Sequence, residues 1–110
     1  MLSKGEAAFN WLYTNYKWTA KNRKFIFTIN KKSFKQLTSA NCFYCGAPPS
    51  KKTSNRFNGI YKYNGLDRMD NTKGYTDDNA VSCCWLCNSM KSKLSSQKFI
   101  DHCKAISNRF

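Results

Sequence analysis

Two Cys-x-x-Cys pairs, Cys42 with Cys45 and Cys84 with Cys87, constrain this chain more than any other feature. Thiolates two residues apart can grip one ion, and two such pairs supply the four soft ligands of a tetrahedral structural zinc. Residues 46 to 83 separate the pairs, a longer gap than in simple zinc ribbons, so the intervening chain must fold back as a hairpin to close the site. Gly46, just after the first pair, permits the tight turn that aims backbone N–H groups at sulfur. Four thiolates fill the coordination sphere and leave no open position, which makes this zinc structural rather than catalytic. Cys83 and Cys103 are left over. Cys83 would point the opposite way from Cys84 along a strand, and Cys103 falls on an apolar helix face, so both read as small buried hydrophobes. A register with Cys83 in place of Cys84 is the competing assignment, but it breaks the two-residue spacing.

The redox setting fits metal rather than disulfides. Nothing near Met1 resembles a signal peptide or a membrane span, and cysteines of an intracellular, cytoplasmic chain stay reduced. With 110 residues, 41% hydrophobic and 15% aromatic, the expectation is one domain with a modest core, for which a metal staple is a common supplement. Nineteen Lys and Arg against six Asp and Glu give a net charge of +13. That balance suits a polyanionic partner and argues against acidic or membrane-spanning functions. Four of the six acids, Asp67, Asp70, Asp77 and Asp78, fall in one short window between basic flanks. Such a window can hold a cation, although Asp also favours turns and caps.

Residues 5 to 23 read as an amphipathic helix with Ala8, Phe9, Leu12, Tyr13, Tyr16 and Ala20 on one face. Trp11 and Trp18 lie on a neighbouring stripe and are expected in the core rather than on a base-stacking platform. Lys17, Lys21, Arg23 and Lys24 cluster where that helix ends. Alternation predicts a short strand over 24–29, with Phe25, Phe27 and Ile29 on one side. Asn30 should cap a helix over 31–39 that turns Phe34 and Leu37 inward. Residues 48 to 58 read as a mobile basic loop, residues 60 to 63 as a strand, and Asn64-Gly65 as a tight turn. A strand near 66–69, a loop through Asn79, a strand over 80–83 and a helix from about Cys84 follow. Ser95 or Ser96 should cap a last helix whose apolar side is Phe99, Ile100, Cys103 and Ile106.

The order Cys-x-x-Cys, Asp67-Arg68, Gly74-Tyr75-Thr76-x-x-Asn79, then Cys-x-x-Cys-Asn88 with Lys91 beyond resembles the HNH endonucleases. It is most similar to small zinc-bound phage-type members and to the recombination endonuclease VII group. The resemblance covers residues 42 to 91. It implies an α+β fold, a zinc-stabilised ββα-metal (treble-clef-like) finger at 41–93, with a basic helical lead-in at 1–40 and a C-terminal helix at 94–110. It also implies a metal-dependent DNA endonuclease or nickase hydrolysing phosphodiester bonds. Position by position, Asp67 matches the strand-end aspartate that binds the catalytic metal. Asn79 matches the middle Asn, which braces the loop, and Asn88 matches the second metal ligand. A carboxylate and an amide oxygen are hard donors suited to Mg²⁺ or Mn²⁺.

One position departs from the pattern. The family's first His, the general base, falls at Arg68, and a guanidinium cannot accept a proton at working pH. His102, the sole histidine, lies in the last helix and reads as a packing or surface residue. Asp70 and Tyr63 are the remaining candidates near the site, with Tyr75 also flanking it, while metal-bound water could act without a dedicated side chain. Arg68 suits a phosphate. Lys51, Lys52, Arg56, Lys91 and Lys93 are expected to join it in clamping DNA, branched and single-stranded forms included, in a monomer or homodimer. The alternative reading is an HNH-like zinc module that binds nucleic acid, or less readily a protein, without cutting.

Overall fold

The computed structural model describes residues 2–110. The elements in chain order are α1 (Glu6–Asn22), α2 (Lys31–Ser39), β1 (Lys51–Lys52), β2 (Lys62–Tyr63), β3 (Gly65–Arg68), β4 (Ala80–Cys83), α3 (Trp85–Lys91) and α4 (Ser96–Ser107). This is a mixed α+β arrangement with two small antiparallel ribbons. β1 pairs with β2, and β3 pairs with β4 in the register Gly65↔Cys83 to Arg68↔Ala80. Among the described residues no helix is long and apolar enough to cross a membrane.

Local chemistry sets the helix ends. Asn30 accepts a hydrogen bond from Ser33 N at 2.8 Å, Ser95 accepts one from Lys98 N at 3.3 Å, and each satisfies a first-turn amide that lacks an intrahelical partner. At the end of α1 the chain turns through Lys24 in the left-handed region, φ 63°, with Phe25 N bonded back to Ala20 O at 2.8 Å. This is the helix-ending motif that normally uses glycine.

Two cores result. The first lies between α1, α2 and the β3–β4 ribbon, and its hub is the fully buried Phe34. Phe9, Tyr13, Tyr16 and Phe27 surround that ring at centroid distances of 5.8, 5.1, 5.4 and 6.4 Å, tilted or edge-on as the ring quadrupole favours. The second joins Cys42, Cys83, Cys84 and Cys87 to Phe99 of α4.

Several expectations are corrected. The segment 24–29 keeps its alternation, but it forms only a single bridge, Phe27 to Tyr75, in place of a strand. Lys51 and Lys52, expected in a loop, form β1. Asn64-Gly65 is not a hairpin turn. Asn64 is buried and its amide donates to Ala40 O and Ala47 O, and the strands on either side of it, β2 and β3, belong to different ribbons. Trp18 is 63% exposed and Trp11 39% exposed, because α1 buries only the narrow face that carries Ala8, Leu12 and Ala20.

Candidate functional site

The site is built on β3, whose alternation sends successive side chains to opposite sides. Leu66 enters the aromatic core. Asp67 turns the other way and is 6% exposed. Its Oδ1 lies 3.1 Å from the ammonium of Lys91, and its Oδ2 accepts a 2.6 Å hydrogen bond from the Tyr44 hydroxyl. Lys91 also donates to Arg68 O at 3.1 Å, and Tyr44 continues to the Ser96 hydroxyl. Burial, followed by the hydrogen bond to the Asp67 carboxylate, pushes the Tyr44 phenol well above its ordinary range and keeps it a donor. Lys91 was expected to clamp DNA. It is 1% exposed and committed inward, so that expectation is corrected.

Arg68 returns to the side of Leu66. Its guanidinium lies 3.7 Å from the Phe25 ring centroid and 5.5 Å from that of Tyr75. Nη1 donates to Asn71 O at 2.7 Å and to Lys73 O at 2.9 Å. Five guanidinium N–H groups less the two used here leave three for a ligand.

Asn79 holds the loop between β3 and β4. Its amide donates to Asp70 O at 3.0 Å and Gly74 O at 2.9 Å, while its oxygen accepts from Asp70 N at 2.9 Å. Gly74 lets that loop lie against segment 24–29, since a Cβ there would come within 2.4 Å of Ile26 O. Asp70 stays outside the cleft. Its Oδ1 accepts from the amide and hydroxyl of Thr72, and those bonds hold its carboxyl below the usual range.

Asp67, Arg68 and Asn88 meet in one cleft of about 140 Å³, joined there by Arg23, Tyr75 and Lys91. A neighbouring hollow of about 300 Å³ shares Arg23, Tyr75 and Asn88 and extends the cleft to Tyr63 and Lys51. Asn88 is exposed, and its side chain makes no hydrogen bond among the described residues. Tyr63 is buried, which raises its phenol above the ordinary value and removes it further from base chemistry at neutral pH. Lys51, Lys52, Arg56 and Lys93 are exposed, as is His102 on α4. Arg56 stacks over Trp11 and Phe57 at 5.7 and 4.9 Å.

Beside the cleft, the Sγ atoms of Cys42, Cys45, Cys84 and Cys87 all lie within 4.8 Å of one another. Four sulfurs 2.3 Å from a tetrahedral ion would stand roughly 3.8 Å apart, so the cluster could hold a zinc ion. Cys84, not Cys83, belongs to it, and Cys83 is buried beside it. Burial works to raise the Cys42 thiol, but hydrogen bonds from the backbone of Cys45, Cys84 and Tyr44 and from the Cys45 side chain outweigh it. The net effect brings Cys42 down to about 6.

Reading the sequence alone missed Arg23 and Tyr44 as site residues. Arg23 was visible only as one of a basic cluster ending α1, and nothing local ties it to Asn88. Tyr44 stands beside Phe43 inside the first Cys-x-x-Cys, and only the folded chain brings its hydroxyl to Asp67.

With that geometry in hand, the chain can be set beside known proteins. It superposes on the rare-cutting HNH restriction endonuclease PacI with a TM-score of 0.65 and 24% identity, covering 92% of this chain and 78% of that one. The likeness is one of fold. An uncharacterized protein of Acanthamoeba polyphaga mimivirus is 39% identical over 98 residues, which is 89% of this chain. The chain spans only 17% of that protein's length. No protein-family model matches the chain.

Proposed function

We propose that the chain is a metal-dependent DNA endonuclease or nickase, of the small zinc-bound phage type, that grips a phosphodiester between Arg23, Arg68 and Asn88. The observation that carries the reading is the convergence of Asp67, Arg68 and Asn88 in one cleft beside a four-cysteine cluster, on a β3–β4–α3 unit of HNH type. The two arginines supply fixed positive charge where a phosphate would gain negative charge on attack. Arg68 is already oriented by two carbonyls and an aromatic face, so it loses little freedom on binding. Lys51, Lys52, Arg56 and Lys93 extend the basic surface along the duplex. The cysteine cluster would hold zinc as a structural ion.

The donor set fits a hard cation only in part. Both oxygens of Asp67 already have partners, one of them the Lys91 ammonium, while the Asn88 amide is open. Mg²⁺ or Mn²⁺ would be held by Asn88 with the remaining lone pairs of Asp67, and would supply charge to the leaving oxygen. Lys91 largely neutralises Asp67, so these residues would hold a cation more firmly beside a bound phosphate than without one. Arg68 takes no proton. A cation held by Asn88 and Asp67 would supply the water activation that Arg68 does not.

The same Lys91–Asp67 pair supports a second reading, an HNH-like module that binds DNA without cutting it. Supercoiled plasmid incubated with Mg²⁺ or Mn²⁺ separates the two. Asn88→Ala is the decisive companion, because Asn88 is exposed and its loss spares the fold, unlike Asp67→Ala. Nicking by the wild type that Asn88→Ala abolishes establishes the enzyme. Tight binding with plasmid left intact under every condition establishes the module.

A further inference from the structure

We propose that the hollow between α1 and segment 24–29, on the far side of Phe25 from the cleft, binds an unpaired strand of DNA. The hollow has a volume of about 770 Å³. Lys17, Lys21, Lys24 and Lys31 line it, and no carboxylate does. Trp18 supplies the open aromatic face, its indole 63% exposed, while the Phe25 ring at the edge of the hollow already carries the Arg68 and Arg23 guanidiniums at 3.7 and 5.3 Å. This is the chemistry of a single-strand groove, with ammonium groups for successive phosphates and rings on which bases stack. A duplex cannot use the rings, because each base within it is covered on both faces by its neighbours. The aromatic surface therefore selects for unpaired nucleotides, while lysines alone would accept either form.

Two further features support the assignment. Lys24 holds φ 63° at the end of α1, a conformation glycine adopts freely and a lysine does not. The sequence keeps a charged side chain there against the backbone's preference, and that side chain lines the hollow. A single stacked pair also links the hollow to the cleft. Phe25 lines the hollow, and its ring carries the Arg68 guanidinium at 3.7 Å, which in turn lines the cleft. A strand leaving the cleft over Arg68 passes Phe25 and meets Trp18 and the lysines.

This inference rests on the DNA-directed reading above but not on cleavage, so its test is one of binding. Labelled oligothymidylate and a duplex of equal nucleotide count are titrated by anisotropy against the full chain, without Mg²⁺ or Mn²⁺. Trp18→Ala should weaken oligothymidylate binding by about tenfold, the scale of one lost base–aromatic stack, and duplex binding by less than about twofold. Trp18→Phe, which restores a π-face, should recover most of the loss. Lys21→Gln with Lys24→Gln should lower the salt slope for oligothymidylate by about 1.4. Trp18 is exposed, so its substitution leaves the fold intact, and circular dichroism checks this. Equal losses on both DNAs, or an unchanged oligothymidylate affinity for Trp18→Ala, would overturn the proposal. Trp18-dependent binding by a protein that never nicks keeps the groove and removes the nuclease reading. Nicking alongside unchanged Trp18→Ala binding does the reverse.

Discussion

The ammonium of Lys91 and the carboxylate of Asp67 form an ion pair at 3.1 Å with only 1% and 6% of the two residues exposed. One partner comes from the last turn of α3 and the other from β3, so the pair ties helix to ribbon at the mouth of the cleft. Removing one member strands a buried charge. Lys91→Met should therefore destabilise the protein by about 3–5 kcal/mol. The double variant Asp67→Asn, Lys91→Met should recover a large part of that loss. Urea unfolding of both single variants and the double gives the coupling, and simple additivity would show that the two charges do not depend on each other.

Lys24 sits at a left-handed position that closes α1. Replacing it with glycine removes the Cβ clash at that conformation, worth about 1 kcal/mol. The expected outcome is a melting temperature higher by a few degrees. Because the lysine side chain is lost at the same time, affinity for oligothymidylate should fall in the same variant, and opposite signs in the two measurements are the signature.

Gly74 allows the β3–β4 loop to rest on segment 24–29. A methyl group there meets backbone atoms of Ile26 at 2.4 and 2.8 Å, and neither is the yielding end of a side chain. Gly74→Ala should cost about 1–3 kcal/mol in chemical unfolding. It should also weaken the Arg68–Phe25 stack, since both partners adjoin the displaced segment. A variant as stable as wild type would mean that the loop can shift freely.

Burial pushes the Tyr16 phenol up to about 12, against a smaller lowering from the hydrogen bond it accepts from Leu66 N at 3.2 Å. A raised folded-state pKa means that the neutral form is favoured on folding. Its contribution is fully present below the unfolded value near 10 and is lost as pH rises through about 12. Stability should therefore fall across that alkaline window. Tyr16→Phe, which has nothing to ionise, should show a shallower fall over the same range, read by thermal melts at stepped pH.

Stripping the zinc proposed for the four-cysteine cluster should unfold the second core, because Cys42, Cys84 and Cys87 are buried within it. A strong chelator is expected to release one zinc per chain with concurrent loss of tertiary circular dichroism. A metal-free chain that keeps its fold would remove zinc from the account.

Much of the fold was legible because its signals are local. The caps Asn30 and Ser95, the helix over 31–39, the strand over 80–83 and the grouping of the four cysteines all rest on short spacings whose physics needs no distant partner. What was not legible depended on residues far away in the chain. Asn64-Gly65 carries a strong turn signal, yet Asn64 finds Ala40 and Ala47 carbonyls and is drawn inward. A lysine three residues beyond Asn88 reads as surface, and the Asp67 carboxylate 24 positions earlier, with Arg68 O, makes its burial tolerable. The tryptophans of α1 lie one stripe away from its apolar face, and periodicity alone does not say how wide a face the rest of the chain will cover. At the site, Asp67, Arg68 and Asn88 could be placed together through the resemblance, whereas Arg23 arrives from another element altogether.

Tyr44 stands between two ligands of the cysteine cluster and reaches with its hydroxyl to Asp67. One residue thus belongs both to the knuckle and to the wall of the cleft. Whatever displaces the knuckle, whether oxidation of the exposed Cys45 thiol or a competing soft metal, also withdraws the hydrogen bond that helps fix the carboxylate. Cluster and carboxylate thus form one mechanical unit, and a fault in either is felt in the other.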